Sequence, residues 1–232
     1  MKNIFLVDAD DTILDFHGAS AVALKTAFVE SGIAWKEEYL TEFKRINKGL
    51  WEALERKELT RKELMGRRFH IYLAQMGFEK LDADAFNQIF LNHLATHPIY
   101  IAGAQEFLVE LKKLGRVYIV TNGTAWIQKS RFDISNLWGY AEDVFVSDTI
   151  GFDKPAKAYT DYVVAHIPNF STENAVWIGD SLSADIKAAN EAKITSIWYN
   201  PHKKAVSGDV IPEYAFENFN EILTFLQGIH NN

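Results

Sequence analysis

Ile4-Phe5-Leu6-Val7 runs directly into Asp8-Ala9-Asp10-Asp11-Thr12: four apolar residues, then three acids and a threonine within five positions. An apolar run with no polar alternation reads as a strand buried on both faces. Four further runs of this kind follow at Val117–Val120, Val144–Val146, Ala175–Ile178 and Thr195–Tyr199. Helical spacing surrounds them at Phe107–Leu114, Thr124–Phe132, Ala156–Ile167 and Leu182–Glu191, and a last helix is expected near Phe219–Gln227. Strands alternating with helices give βαβ units, hence an α/β fold with a doubly wound parallel sheet covered on both faces.

More than a hundred residues separate the first run from the second, where a βα unit needs about thirty. All five prolines lie at position 98 or later. In the proline-free stretch the apolar spacing is helical: Leu40, Phe43, Leu50 and Leu54, then Met65, Phe69, Tyr72 and Met76, then Phe86, Phe90 and Leu94. Gly32, Gly77 and Leu81-Asp82 punctuate it as turns and caps. Residues 16–97 therefore read as an inserted helical module, and 1–15 with 98–232 as the α/β core.

The chain has 232 residues and no cysteine, which excludes a disulfide framework, a thiol nucleophile, an iron–sulfur cluster and a Cys-ligated zinc site. Its 31 acidic against 24 basic residues, a formal net charge of -7, argue against a nucleic-acid polymer as partner. A small anionic ligand held by a metal ion and a few local donors remains compatible. No apolar run approaches the eighteen or so residues of a membrane span, and no signal-peptide pattern is visible, so a cytoplasmic protein without a membrane partner is expected.

In an open α/β sheet, ligands sit beyond the carboxyl ends of the strands. The residues there are Asp8-Ala9-Asp10-Asp11-Thr12, then Thr121-Asn122-Gly123, then Asp153-Lys154-Pro155, then Gly179-Asp180-Ser181-Leu182-Ser183-Ala184-Asp185. On a continuing strand, Asp8 and Asp10 would share a face. Those two carboxylates and Asp180 repel one another unless a hard cation lies between them, and an oxygen-only donor set suits Mg²⁺. Singly, each Asp reads more readily as a helix cap or turn residue, Thr-Asn-Gly as a turn and Lys154 as a solvated charge. Three acids gathered at adjacent strand ends reverse that reading for the aspartates. Pro155 suits a first helical position, and Ser181 and Ser183 suit caps.

These motifs resemble those of the haloacid dehalogenase-like hydrolase superfamily, in its capped subfamily I. The matches are D-x-D-x-T at Asp8, Asp10 and Thr12, then Thr121, then Lys154, then G-D-x-x-x-x-D at Gly179, Asp180 and Asp185. The resemblance implies a Rossmann-like core with an α-helical cap, and phosphomonoester hydrolysis with one Mg²⁺ ion. It makes Asp8 the nucleophile and a metal ligand, and Asp10 the acid/base that also ligates through its main-chain carbonyl. Thr121 and the amides near Asn122 and Gly123 would bind phosphate, joined by Lys154. Asp180 would ligate the metal and Asp185 would orient Lys154 or metal-bound water. An acid at position 10 favours phosphoryl chemistry over carbon–halogen cleavage, because an alkoxide leaving group needs a proton and a halide does not.

The insert is similar to that of the bacterial pyrimidine 5′-nucleotidases, in N-K-x-L-W at Asn47–Trp51 and G-R-x-F at Gly66–Phe69, with Trp198-Tyr199-Asn200 following the fifth strand. That likeness implies a small phosphorylated metabolite, a nucleoside monophosphate, as substrate. Lys48 and Arg67 could reach its phosphate or ribose oxygens, and Phe16, Trp51 or Phe69 could stack on a base, with Asn47 beside them. Leu50, Trp51, Leu54 and Phe69 fit a helix–helix core equally well. The basic run Arg61-Lys62, Arg67-Arg68 reads mostly as a solvated face, being interleaved with Glu58 and Glu63. His93 and His97 have a zinc-compatible spacing but lack an adjacent Glu. Rival readings are a phosphatase for a small sugar or acid phosphate of the phosphoglycolate kind, and a receiver-like signalling module phosphorylated on Asp.

Overall fold

The computed structural model describes residues 2–206 and 208–230. Within them lie two compact units, one within the bounds Met1–Phe16 and Pro98–Asn232, the other His17–His97.

The first unit is built on six parallel strands: β1 (Ile4–Val7), β2 (Arg116–Thr121), β3 (Asp143–Val146), β4 (Ala175–Gly179), β5 (Thr195–Tyr199) and β6 (Tyr214–Phe216). Their order is β3-β2-β1-β4-β5-β6, so the chain runs outward from β1 to β3 and then returns to lay β4 on the other side of β1. Register places Val7 beside Ile119 and Ile178, which brings the ends of three strands level. Successive residues point to opposite faces. Phe5, Val7, Val117, Ile119, Val176, Ile178 and Ile197 pack on one side, against α5 (Ala104–Leu114), α6 (Ala125–Ser135) and α10 (Phe219–His230). Ile4, Leu6, Tyr118, Val120 and Trp177 pack on the other, against α8 (Lys157–Ala165) and α9 (Lys187–Glu191), the single-turn α7 (Ser147–Ile150) following β3. Burial on both faces is why these strands are apolar throughout.

Three local readings need correction. The sixth strand has no apolar signature, because Tyr214 and Ala215 are exposed on the sheet edge. Pro155 lies in a turn ahead of α8 and not at its first position, since α8 opens at Lys157. The helix expected over Leu182–Glu191 begins as a wide π-type turn, Leu182–Ile186, in which the Ile186 N–H reaches back five residues to the Ser181 carbonyl at 3.1 Å.

The chain leaves this unit through paired extended segments. Leu14 bridges Tyr100, the Asp15 N–H donates to the Ile99 carbonyl (2.8 Å) and the Ile101 N–H to the Ile13 carbonyl (2.9 Å).

The second unit holds α1 (Phe16–Glu30, which starts one residue before the unit), α2 (Glu37–Glu55), α3 (Arg61–Gln75) and α4 (Ala83–Thr96). Gly32 and Gly77 end helices in the left-handed region, at φ 76° each, and Asp82 caps α4 by accepting from the Asp84 and Ala85 amides, both at 3.0 Å. Thr60 and Glu63 form a reciprocal capping box on α3. The core is aromatic: Phe43 stacks on Phe69 at 5.6 Å, Phe69 meets Phe90 at 5.1 Å, and Phe28 meets Phe86 at 5.0 Å. Arg68 is the exception in a run read as mostly solvated. Its guanidinium is buried 4.9 Å from both the Phe69 and Phe90 rings and donates to Asn47 Oδ1 and Asn87 Oδ1. Burial lowers its pKa to about 10.

Candidate active site

Asp8 stands one residue beyond β1, its N–H bonded to the Ile178 carbonyl of β4 at 2.9 Å. The strand does not continue to Asp10, so the two acids do not share a strand face as the spacing suggested. Asp11 adopts the left-handed region (φ 58°) and its N–H turns back to the Leu14 carbonyl at 2.7 Å. This turn aims the two carboxylates at different partners.

Asp8 aims at Lys154, which is 2 % exposed. The three ammonium hydrogens have three acceptors: Asp8 Oδ1 at 2.6 Å, Asp185 Oδ1 at 2.7 Å and the Val120 carbonyl at 2.8 Å. Thr12 Oγ1 donates to Asp8 Oδ2 at 3.2 Å. Asn122 clamps the peptide of Lys154 in both directions: its Oδ1 accepts from the Lys154 N–H at 2.7 Å, and its Nδ2 donates to the Lys154 carbonyl at 2.9 Å. The Asn122 side chain is thus engaged in holding Lys154, a role the sequence did not disclose.

Asp185 is placed by the π-type turn and accepts on Oδ2 from the Ser181 N–H at 3.2 Å. It packs so closely under Gly179 that a Cβ there would overlap its carboxylate, which accounts for the glycine. Ser181 caps the turn through the Ala184 N–H at 3.1 Å. The main chain of Asp180 is held by Trp198 Nε1, which donates to its carbonyl at 2.7 Å. Carboxylate oxygens of Asp8, Asp180 and Asp185 come within 4.8 Å of one another.

Of these three carboxylates, the Lys154 ammonium pairs with two, Asp8 and Asp185. Burial pushes the Asp8 carboxyl up to about 8, opposed by Lys154 and reinforced by the negative charges of Asp185 and Asp10. Burial likewise pushes Asp180 up, with Asp11, Asp8 and Asp185 adding repulsion. Lys154 is driven the other way: burial opposes its charge, but Asp185 and Asp8 outweigh that and hold it protonated. The excess negative charge and the all-oxygen donor set fit a hard divalent cation.

The Asp10 side chain lies apart from that cluster. Its Oδ2 accepts from Gln128 Nε2 at 2.9 Å and its Oδ1 from Arg131 Nη1. Asp10, expected to ligate through its main-chain carbonyl, contributes no carboxylate to the cluster; Asp185, expected to orient Lys154 or metal-bound water, does. Thr121 Oγ1 accepts from Gln128 Nε2 at 2.8 Å and from the Gly123 N–H at 3.1 Å. Gln128 and Arg131 were missed by reading strand ends alone. Their signal is two polar residues three apart on α6, between the buried Ile127 and Phe132.

The chain matches the haloacid dehalogenase-like hydrolase family over residues 5–199. It belongs to that family. As a HAD-like hydrolase it is 38 % identical to the HAD-hydrolase YfnB of Bacillus subtilis, over 95 % of this chain and 94 % of that protein. It is 35 % identical to the pyrimidine 5′-nucleotidase PynA of Streptococcus pneumoniae, covering 95 % and 93 %. It is 24 % identical to the pyrimidine 5′-nucleotidase YjjG of Escherichia coli, covering 93 % of each chain. The crystal structure of YfnB, bound to magnesium, superposes with a TM-score of 0.91 over 97 % of this chain and 98 % of that one.

In this HAD-like hydrolase the residues singled out in the helical unit fall into separate environments. Phe69 lies in the aromatic core, stacked on Phe43, so in this packing it has no face to offer a base. Asn47 is buried and holds Arg68. Arg67 is exposed and pairs with Glu63 at 3.0 Å; Lys48 is 78 % exposed and pairs with Glu52 at 3.7 Å. Trp51 is half-buried beneath the Arg61 guanidinium, 5.5 Å from its ring centre. Phe16 is half-buried at the start of α1. His93 bonds Glu30 at 3.2 Å and stacks on His97; among the described residues, ligand atoms of three such side chains gather within 4.8 Å of one another at Asp8, Asp180 and Asp185 and not here.

Proposed function

We propose that this hydrolase is a Mg²⁺-dependent phosphomonoesterase that acts on nucleoside 5′-monophosphates through an aspartyl-phosphate on Asp8. The observation that carries the reading is the pair of acids on one loop with opposite surroundings: Asp8 buried against Lys154, Asp10 turned to Gln128 and Arg131. Two carboxylates in distinct environments suit nucleophile and acid/base roles.

An Asp8 oxygen attacks phosphorus, and the bond to the ester oxygen breaks with its electron pair on that oxygen. Asp10, acting as general acid, delivers a proton to that oxygen and an alcohol departs. Asp10 then takes a proton from water as that water attacks phosphorus, and the bond to Asp8 breaks to return the free carboxylate and inorganic phosphate. The sum is ester plus water giving alcohol plus phosphate. Lys154 offsets charge on Asp8 throughout, and Thr121, already accepting two hydrogen bonds, has its own proton left to donate to a phosphate oxygen. One Mg²⁺ ion, when bound by Asp8, Asp180 and the Asp10 carbonyl, would neutralise phosphoryl charge and draw substrate and nucleophile together.

The nucleotide half of the reading rests on the pyrimidine 5′-nucleotidases at 35 % and 24 % identity. Choice of the alcohol half is assigned to the helical unit, with Trp51, Lys48 and Arg67 as the side chains that carry it. Phosphate release from a panel of nucleoside 5′-monophosphates and sugar phosphates, with and without Mg²⁺, tests the proposal. Nucleoside monophosphates should lead the panel and only with Mg²⁺. Preference for a small sugar or acid phosphate overturns the substrate assignment, and a stable phospho-Asp8 without turnover overturns the hydrolytic one.

A further inference from the structure

Helix α6 carries two side chains that join residues far apart in the chain. Gln128 and Arg131 are each 1 % exposed. The Gln128 amide has two hydrogens, and Nε2 lies 2.9 Å from Asp10 Oδ2 and 2.8 Å from Thr121 Oγ1. Arg131 Nη1 also has two, directed to Asp10 Oδ1 and to Gln128 Oε1, the latter at 2.9 Å. The four bonds close a network in which flipping the amide would set its oxygen against a carboxylate. Both oxygens of Asp10 are held, and one amide spans Asp10 and Thr121.

This network is ill suited to serve stability alone. Arg131 Nε and Nη2 are buried without a hydrogen-bond partner, and each such group is a cost to folding. Gly123 belongs to the same arrangement, because a Cβ there would overlap the Gln128 side chain. Asp10 is held by its backbone, which bridges Leu14 at the head of the turn, but its side chain is partly exposed, so that bridge alone does not set the direction of its carboxylate. Proton transfer demands an oxygen within about 2.6–3.2 Å of its target.

We propose that Gln128 and Arg131 are positioning residues that fix the Asp10 carboxylate for proton transfer to the leaving-group oxygen, Gln128 also fixing its spacing from the Thr121 hydroxyl. The proposal rests on the reading of Asp10 as acid/base. Neither residue needs to touch substrate. A 1 Å displacement of a catalytic group costs about 100-fold in rate, which sets the scale of the effect.

The test uses kcat/KM, which reports steps up to phosphoryl transfer, on a nucleoside monophosphate and on nitrophenyl phosphate. The first leaving group needs a proton; the second leaves readily without one. Gln128→Met keeps the side-chain length and removes the bonds, and Arg131→Lys keeps the charge, so at least one is expected to retain the folded circular dichroism. The expected result is a loss of about 10- to 100-fold on the nucleotide, at least about tenfold larger than on the aryl ester, carried by kcat with KM little changed. Adding Gln128→Met to Asp10→Asn should then produce little further loss. Equal losses on both substrates, or a full second loss in the double variant, assign the two residues a structural role and overturn the proposal. If Asp10→Asn discriminates between leaving groups and the α6 variants do not, positioning fails while the acid/base reading stands. If Asp10→Asn does not discriminate, both fall.

Discussion

The Lys154 ammonium lies 2.6 Å from Asp8 Oδ1 although 146 positions separate the two residues. The contact exists because β1 and β2 are neighbours in register, so the Val120 carbonyl, which also accepts from Lys154, ends level with the loop after Val7. The same ammonium holds Asp185 at 2.7 Å, making Lys154 the one charge that permits two carboxylates to face each other in a buried place.

Replacing Lys154 by Met leaves Asp8 and Asp185 buried without their cation. Loss of one partner from a buried ionic group costs about 3–5 kcal/mol. Denaturant unfolding of Lys154→Met in EDTA should show a loss of that order, with turnover abolished. A variant as stable as the parent would show that the ammonium does not support the fold.

Asp8→Asn keeps the side-chain volume and much of the hydrogen bonding but removes the attacking oxygen. Turnover should fall by at least about 10³-fold on every phosphate ester, aryl esters included, while thermal unfolding stays cooperative. Residual activity within tenfold of the parent would remove Asp8 as nucleophile.

Metal dependence and pH are linked through Asp8. Its folded pKa of about 8 lies above the ordinary 3.8, so between these values the folded state binds more protons than the unfolded state. Stability of the metal-free protein from this group is therefore highest below about pH 4 and declines as pH rises toward 8. On the proposed assignment of Asp8 as a ligand, Mg²⁺ takes the place of the proton, so its stabilising shift in Tm should be larger at pH 8 than at pH 5. Melting curves in EDTA and in Mg²⁺ at both pH values measure this. Equal shifts, or activity that survives chelation, would contradict a cation on these carboxylates.

Phe69 and Trp51 separate packing from recognition. Phe69→Ala removes a ring stacked on Phe43 and should cost about 3–5 kcal/mol, with the substrate preference of the remaining folded enzyme unchanged. Trp51→Ala, at a half-buried position, should change the ranking among nucleotides in a kcat/KM panel while costing less stability. If Trp51→Ala alters Tm alone, Trp51 is a packing residue as well.

Much of the candidate site could be read without coordinates, for a reason visible in particular residues. Asp8, Thr121 and Asp180 each follow a run that is apolar because it is buried on both sides, so the runs located the strands and the strand ends located the site. Gly179 and Asp185 fell into the same reading through their place after Ala175–Ile178. Residues on α6 were less accessible, since Gln128 and Arg131 interrupt an apolar face in a way that a surface pair also would.

What the sequence determined by itself was the alternation of buried strands with helices, the helical stretch after Thr12 and the order of acids, threonine and lysine along the chain, because each is a local pattern of apolar and polar residues. Only the tertiary structure decided which of those polar residues meet. Burial of Arg68 among rings, the turn at Asp11 that sends Asp8 to Lys154 and Asp10 to Arg131, and the pairing of Tyr214–Phe216 at the sheet edge all depend on distant chain segments being brought together. Hydrogen bonds and ion pairs act over a few ångströms in space, and separation along the chain does not report that distance.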